Sequence, residues 1–589
     1  MNLSLDQFPL LRMMQRLLSS AGHPRRRPRQ ASNSVPGKGA ESHIVRRSST
    51  IEHLHPTPAL SPFDRLPVEL HAEIFSHCLE SFPHLGDADK PPMTIARVCS
   101  AWKTLVLSTP KLWASFEIDV QDCESLEDFP DALPDPMYEL YAVHLLRSVQ
   151  IWLERSRNHP LSVRLVHMPS TPVPGGLSAQ LMAMFVAHAR RWRAVEFVLP
   201  STSLDAVQTL FPEEFPALKQ LKIHMKGQWN AGGGAGAVPF HFVRAANIPW
   251  AQLTSLDLRL DAANLLNLDE YLALLQDATN LVSCSINANC CLSATADSTR
   301  SHSGARNDDP LLNLPALESL HLVLQGGFPS GSLALAGTAA AAAGAQTPFL
   351  RPEESLTTFL AQFTGCRKLA QLELDWLVDA GASQSNSWAD SSSVSFSSLQ
   401  ATLRALAPSL HSIRFAYLPL GEEQLHLALT ELGSGLTALD LRFPLADHER
   451  DPITDRFLKS LTLPSQSGVQ AGPSCSESLR GSTQSDGAGM TSEWDSDAGG
   501  LSQHQREMPS FPGLEQLTLH CSGERCAART LLKLVESRMD GVRREKARLA
   551  SLKQLHLYTM SPILPDASRY TGKWRKAGLE ASIESVVFL

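Results

Sequence analysis

One phrase constrains this chain more than any other feature: a leucine, two residues, a leucine, one residue, a leucine. Strict copies begin at Leu253, Leu317, Leu369, Leu436, Leu458, Leu514 and Leu552. Chance would supply on the order of one or two in such a length, so the excess marks a repeat architecture. Looser copies begin at Trp192 (WRAVEF), Leu218 (LKQLKI), Leu281 (LVSCSI), Leu410 (LHSIRF) and Ile583 (IESVVF). Several share a Pro-x-Leu lead-in, as in PALKQL, PALESL, PSLHSI and PGLEQL, and helical stretches such as YLALLQDA and LTTFLAQF stand between copies. Neither a lone strand of this kind nor a lone return segment can bury its apolar face. The repeats therefore predict a stack, one strand and one return segment per unit, in which the leucines of neighbours share a continuous core.

Side chains alternate across a strand, so the leucines point to the core and the residues between them to the open face. That places Lys222, His224, Asp257, Arg259, His321, Glu373, Asp375, Arg414, Asp440, Arg442, His520, His556 and Tyr558 on one partner-binding face. The face is charged and mixed in sign, which suits recognition of a protein by complementary charge, with Arg and Tyr the stronger contributors. Ordinary solvation of a sheet face accounts equally for each residue taken singly. Asparagine is nearly missing from the turn position behind the third leucine: Asn289 is the exception, and Asp261, Gln325 and Pro444 stand elsewhere. Without an asparagine ladder to satisfy backbone groups at the turns, and with spacings from about 26 residues upward, the curvature is expected to be irregular.

Ahead of the repeats the pattern turns helical. In SPFDRLPVELHAEIFSHCLESF, the apolar Leu66, Leu70, Ile74, Phe75, Cys78 and Leu79 fall at helical spacing. Asp64 can cap the start, Pro67 fits the first turn, and Glu69 lies toward the positive end of the helix dipole. A loop with Pro83, Gly86, Pro91 and Pro92 leads to a second helical stretch, MTIARVCSAWKTLVLS, with Ile95, Val98, Trp102 and Leu105 on one face and Thr109-Pro110 at its end. A third helix is predicted over 136–157, offering Leu140, Val143, Leu146, Ile151 and Leu153 for burial. His159-Pro160 closes it, and the alternating strand Leu161-Ser-Val163-Arg-Leu165 follows.

The order Leu66-Pro67-x-Glu69-Leu70, Ile74-Phe75, Val98-Cys99-x-x-Trp102 and Leu105 resembles the F-box motif. The continuations STPKLWASFEID and WLERSRNHPLSVRL are similar to the F-box-like proteins of mushroom-forming fungi. The resemblance covers residues 62–116. It implies a three-helix fold whose Leu-Pro start and apolar helix faces bind a Skp-type adaptor protein and, through it, a cullin. Carried over by position, the adaptor-binding residues are Leu66, Pro67, Leu70, Ile74, Val98 and Trp102, either as contacts or as core. The loop over 80–92 is longer than the family's usual connection. In an alternative reading, the same helices cap the N-terminal end of the repeat array, as solenoids require.

Hydrophobic residues are 43% of the chain and charged residues 19%, enough apolar surface for a large core and too little charge for global disorder. A net charge of -8 argues against a generic nucleic-acid binder. Arg25, Arg26, Arg27, Arg29, Arg46 and Arg47 form the local exception, read as a solvated basic tail or as a nuclear-import or acidic-partner patch. Residues 1–19 resemble an amphipathic targeting helix, although Asp6 and Pro9 favour a short frayed one, and no apolar run spans a bilayer. The cysteines show no CxxC pair, which suggests reduced intracellular thiols, and His520, Cys521 and Cys526 lack a second ligand pair for a metal. There is no GxxxxGKS or GxxxxGKT, GxGxxG, GxSxG or HExxH. No catalytic residue, metal or cofactor is therefore assigned, and His71, Glu73 and His77 are read as a helix surface.

The expected fold class is α/β, an N-terminal three-helix F-box-like module followed by an irregular leucine-rich-repeat solenoid. The expected order is a disordered basic tail (1–58), the F-box-like domain (59–120), a linker and helix (121–160), the repeat array with disordered loops (161–463), a disordered insertion (464–510) and C-terminal repeats (511–589). Polar or Gly/Ala-rich interruptions fall at 289–310, 325–350 and 379–398, and Ser485 and Ser496 sit in acidic context within the insertion. The expected function is that of a non-catalytic substrate-recognition subunit of a Skp/cullin/F-box ubiquitin ligase, cytoplasmic and/or nuclear. It would bind an unknown target protein on the repeat surface, with no role for nucleic acid or membrane. The alternative is an F-box-bearing interaction scaffold without a ligase role, and a hydrolase or transferase with an unrecognised site is a third reading.

Overall fold

A computed structural model of the chain describes residues 63–585 apart from 121–135, 168–175, 201–203, 205–214, 226–247, 263, 291–311, 327–349, 379–387, 389–393, 446–450, 464–510, 540–549 and 565. The basic tail, the 464–510 insertion and its two serines lie outside the described residues. The chain divides into two compact units, one of Met1–Asp119 and Asp131–Arg164, the other of Val120–Pro130 and Leu165–Leu589.

In the first unit, α1 (Val68–His77), α2 (Met93–Ala96) and α3 (Ser100–Ser108) precede β1 (Ser115–Val120), α4 (Pro136–Ser156) and the start of β2 (Leu161–His167). Pro67 takes the cap position of α1, one residue ahead of its expected place; Asp64, the expected cap, lies outside the described side chains. The second helical stretch breaks in two. Cys99 leaves helical backbone at φ -155° and ψ 170°, and its Sγ accepts the Trp102 N–H at 3.4 Å, so a thiol caps α3. Phe63, Phe75 and Trp102 pack together, with ring centroids 5.1 Å apart for Phe63–Trp102 and 4.9 Å for Phe75–Trp102. A second cluster joins Trp113, Phe116 and Trp152, with the Arg155 guanidinium 4.4 Å above the Trp113 ring. This cluster corrects the expected burial of α4. Val149, Trp152 and Leu153 are its core residues, while Leu140 and Val143 are 41% and 61% exposed. The long loop over 80–92 is tied to β1, where the Leu85 N–H donates to Glu117 O at 2.7 Å and the Glu117 N–H to Pro83 O at 2.8 Å.

In the second unit the strands are β3 (Trp192–Leu199), β4 (Gln220–Met225), β5 (Ser255–Arg259), β6 (Ser283–Asn289), β7 (Ser319–Gly326), β8 (Gln371–Val378), β9 (Ser412–Ala416), β10 (Ala438–Arg442), β11 (Gln516–Cys521), β12 (Gln554–Thr559) and β13 (Glu580–Ser585). Return helices are α5 (Leu177–Val186), α6 (Leu268–Asp277), α7 (Pro352–Ala361), α8 (Val394–Leu406), α9 (Glu422–Glu431), α10 (Asp455–Ser460), α11 (Ala528–Met539) and α12 (Ala567–Lys576). Among the described residues of this unit, β3 to β13 keep in the sheet the order they have in the chain and pair in parallel throughout. The middle residue of each phrase stacks on the next: Leu221, Leu256, Cys284, Leu320, Leu372, Ile413, Leu439, Leu517, Leu555 and Ala581 form one row. Every member is at most 5% exposed.

The lead-in has a structural cause. The N–H of the first leucine donates to the carbonyl three residues earlier, as in Leu218 to Phe215 (3.3 Å), Leu317 to Leu314 (3.2 Å), Leu410 to Ala407 (3.3 Å) and Leu514 to Phe511 (3.1 Å). Pro216, Pro315, Pro408 and Pro512 take the second position of these turns, where the ring's fixed φ suits the bend.

Several expectations need correction. The copy at Leu458 lies on α10, not on a strand, because apolar residues three apart fit a helical face equally well. Ile583 pairs with Leu557 and so holds the third place of its phrase, not the first. Trp113-x-x-Phe116-x-Ile118 is a further copy, each residue at most 1% exposed. The stretch 379–398 contains folded residues: Trp388 is buried 5.9 Å from Trp376, and α8 begins at Val394. Asn289 and Gln325 belong to β6 and β7, so those interruptions begin later than expected. The asparagine that satisfies backbone groups is Asn287. β5 stops pairing with β6 after Leu258, and there the Asn287 amide accepts from Leu260 N–H at 2.7 Å and donates to Leu260 O at 2.6 Å.

Candidate functional site

Six residues of the first unit are expected at an adaptor contact, and the structure divides their roles. Trp102 is half-buried in the aromatic cluster and supports the fold. Leu66 is half-buried at the head of α1, its N–H donating to Phe63 O at 3.0 Å. Pro67, Leu70, Ile74 and Val98 face outward, with Leu70 49%, Ile74 40% and Val98 60% exposed. Two outward apolar residues escaped sequence reasoning, Val68 (53%) and Leu107 (38%); Val68 falls between Pro67 and Leu70, and Leu107 lies two residues beyond Leu105. Among the described residues ten large hydrophobic side chains are exposed, and seven belong to this unit: Val68, Leu70, Ile74, Val98, Leu107, Leu140 and Val143. The polar residues of α1 are engaged locally. His71 Nε2 lies 2.7 Å from Phe63 O with the two rings stacked, and Glu73 meets Lys111 at 2.7 Å and His77 at 3.4 Å. The Lys111 hydrogen bond and charge hold the Glu73 carboxyl below the ordinary range.

The residues expected on the open face of the second unit fall into two parallel rows. Register aligns Lys222, Asp257, Ser285, His321, Glu373, Arg414, Asp440, Thr518 and His556 in one row, and Arg442, His520 and Tyr558 in the next. The charges are not free: most pair laterally from strand to strand, and Arg259 with Asp257 and Arg442 with Asp440 pair along one strand. Lys222 meets Glu196 at 2.8 Å, His224 meets Asp257 at 3.0 Å, and Arg259 lies 3.4 Å from Asp257. Arg259 Nη2 donates to Ser285 Oγ at 2.8 Å and to His321 Nδ1 at 2.7 Å. That leaves His321 Nε2–H to face Asp375, 3.3 Å away. Arg414 bridges Asp375 at 3.0 Å and Glu373 at 3.3 Å, and Arg442 binds Asp440 at 2.8 Å. The His520 and Tyr558 rings lie 4.2 Å apart, and His556 stands in register between Thr518 and Ser582. Glu196 and Ser285 were missed, although each occupies the same alternate position in its phrase.

Half-buried pairing shapes the titration of this face. Burial alone raises the Asp257 carboxyl, but the His224 hydrogen bond and the nearby cations outweigh it and hold it below the ordinary 3.8. Asp375 follows the same balance, with His321 and Arg414 as the opposing partners. A depressed folded-state value stabilises the fold above the unfolded value and is lost as pH falls through the folded one. Urea unfolding at pH 7 and pH 3 is therefore expected to show a smaller difference in stability for Asp375→Asn than for the unmodified chain. An equal difference would remove Asp375 from the acid-sensitive set.

His520 and Cys521 do not converge, because neighbouring strand residues point to opposite faces. His520 lies on the open face, while Cys521 and Cys526 are buried and Cys526 Sγ lies 3.2 Å from Ile453 O. Among the described residues no group of three or more His, Cys, Asp or Glu is placed to hold a metal ion, and no helix is long and apolar enough to cross a membrane. No protein-family model matches this sequence, and a search of curated proteins finds no relative.

Proposed function

We propose that this chain is the substrate-recognition subunit of a Skp/cullin/F-box ubiquitin ligase: its first unit takes a Skp-type adaptor and the open sheet face takes the protein to be modified. The observation that carries the reading is the concentration of exposed apolar side chains in the first unit, with Leu70, Ile74 and Val98 outside a packed Phe63–Phe75–Trp102 cluster. Apolar surface left in water by a folded module is the usual mark of a missing partner. The repeat face contributes area and charge pattern, and the ligase gains by holding a target near the ubiquitin carrier, which is a matter of effective concentration.

Leu70→Glu with Ile74→Glu tests this directly. Both side chains are largely exposed, so the thermal melt is expected to stay where it is while co-purification of a Skp-type adaptor is lost. An adaptor that remains bound to the double variant overturns the reading. Recovery of cullin in the same complex separates a ligase subunit from an adaptor-binding scaffold.

A further inference from the structure

We infer that the groove between α10 and α11 is a docking site for a short acidic stretch of another protein, one that carries an apolar side chain among its carboxylates. The groove has a volume of about 640 Å³ and is lined by Asp455, Lys459, Leu463, Ala527, Arg529 and Lys533, among others. That volume accommodates several side chains, far more than one inorganic ion.

Among the described residues its cations have no carboxylate partner. Lys222, Arg259, Arg404, Arg414, Arg442 and Lys553 in this unit all hold carboxylates. Lys459, Arg529 and Lys533, by contrast, have no ion pair or side-chain hydrogen bond with a described residue. The one acid in the groove is occupied: Asp455 Oδ1 accepts the Ala527 N–H at 2.7 Å. The first turn of α11 contains Arg529 and no acidic residue, so the positive end of a twelve-residue helix adds to the side-chain charge instead of cancelling it. The buried Leu463 and the exposed Ala527 add apolar surface to the lining. Three cations, a helix N-terminus and apolar lining in one cavity are complementary to carboxylates flanking an apolar side chain. The inference goes beyond the ligase reading and stands apart from it, because the groove belongs wholly to the second unit.

The test is fluorescence anisotropy on the full chain, using a labelled synthetic peptide in which one leucine is flanked by Asp and Glu, against the same peptide with Asn and Gln. The acidic peptide is expected to bind and the amide version to bind about tenfold more weakly, the scale of three partly solvated ion pairs. Lys459→Gln/Arg529→Gln/Lys533→Gln is expected to lose the acidic peptide by about the same factor, with an unchanged melt because all three side chains are exposed. No binding, equal binding of the two peptides, or an unaffected triple variant overturns the inference. So does tighter peptide binding after Glu493→Gln/Asp495→Asn/Asp497→Asn, which would assign the groove to the chain's own acidic run. Adaptor co-purification is unmoved in every case, so this failure and that of the ligase reading remain distinct.

Discussion

Arg538→Ala is expected to lower the unfolding free energy by about 3–5 kcal/mol, read by urea denaturation, because it strips the buried Leu461 carbonyl of its donors, takes one of two donors from Phe511 O and opens a cavity. Arg538 is 0% exposed on α11. Its Nε and Nη2 donate to Leu461 O at 3.1 and 2.6 Å, and its Nη1 donates to Phe511 O at 3.2 Å. Leu461 and Phe511 stand on either side of the 464–510 insertion, so one guanidinium joins the two points where the insertion leaves and re-enters the fold. Ser537 adds a contact, its Oγ accepting the Leu463 N–H at 3.3 Å. Phe511 sits at φ +27°, a left-handed value that non-glycine residues seldom adopt, and Arg538 fixes its carbonyl there. Burial lowers the guanidinium to about 10, which still leaves it charged at neutral pH. Arg538→Lys keeps the charge but not the fork that reaches both carbonyls, so it is expected to recover only part of the loss. A cost below about 1 kcal/mol for Arg538→Ala would mean that the insertion's ends are held by something else.

Leu320→Ala is the second large effect, expected at about 2.5–5 kcal/mol in the same measurement. Leu320 is 0% exposed and stands in the shared row between Cys284 on β6 and Leu372 on β8. Removing its side chain leaves a gap that two neighbouring units share, and in a stacked array that weakens the coupling between them. Leu70→Ala makes the same chemical change at a 49% exposed position on α1, and it is expected to stay within about 0.5 kcal/mol of the unmodified chain. Equal costs at the two sites would contradict the division of the leucines into core and surface.

The phrase copies show how far local pattern reaches. Trp192 opens a strand of the sheet, and Leu218, Leu253, Leu281, Leu317, Leu369, Leu410, Leu436, Leu514 and Leu552 each stand two residues ahead of one; the residues between the apolar positions lie on the face assigned to them. At Leu458 the same letters form a helix, since a period of three to four residues and a strand phrase overlap over so short a run. In the first unit, spacing identified the apolar residues of α1 but could not divide them. Phe75 is buried and Ile74 is exposed although they are adjacent, and only the aromatic neighbours Phe63 and Trp102 decide which way each turns.

The alternation of apolar and polar residues, with proline at the second position of four of the lead-in turns, was enough to determine the strands, their inner and outer faces and their succession, because these depend on contacts within a few residues of chain. The tertiary structure alone decided that the face charges would bind one another, as Arg414 does Asp375 from 39 residues away. It also decided that Arg538 would close the base of the insertion, with its Leu461 contact spanning 77 residues, and that Lys459, Arg529 and Lys533 would share a groove with no carboxylate partner among the described residues. Such partnerships are set by which units come to lie side by side, and no local periodicity records them.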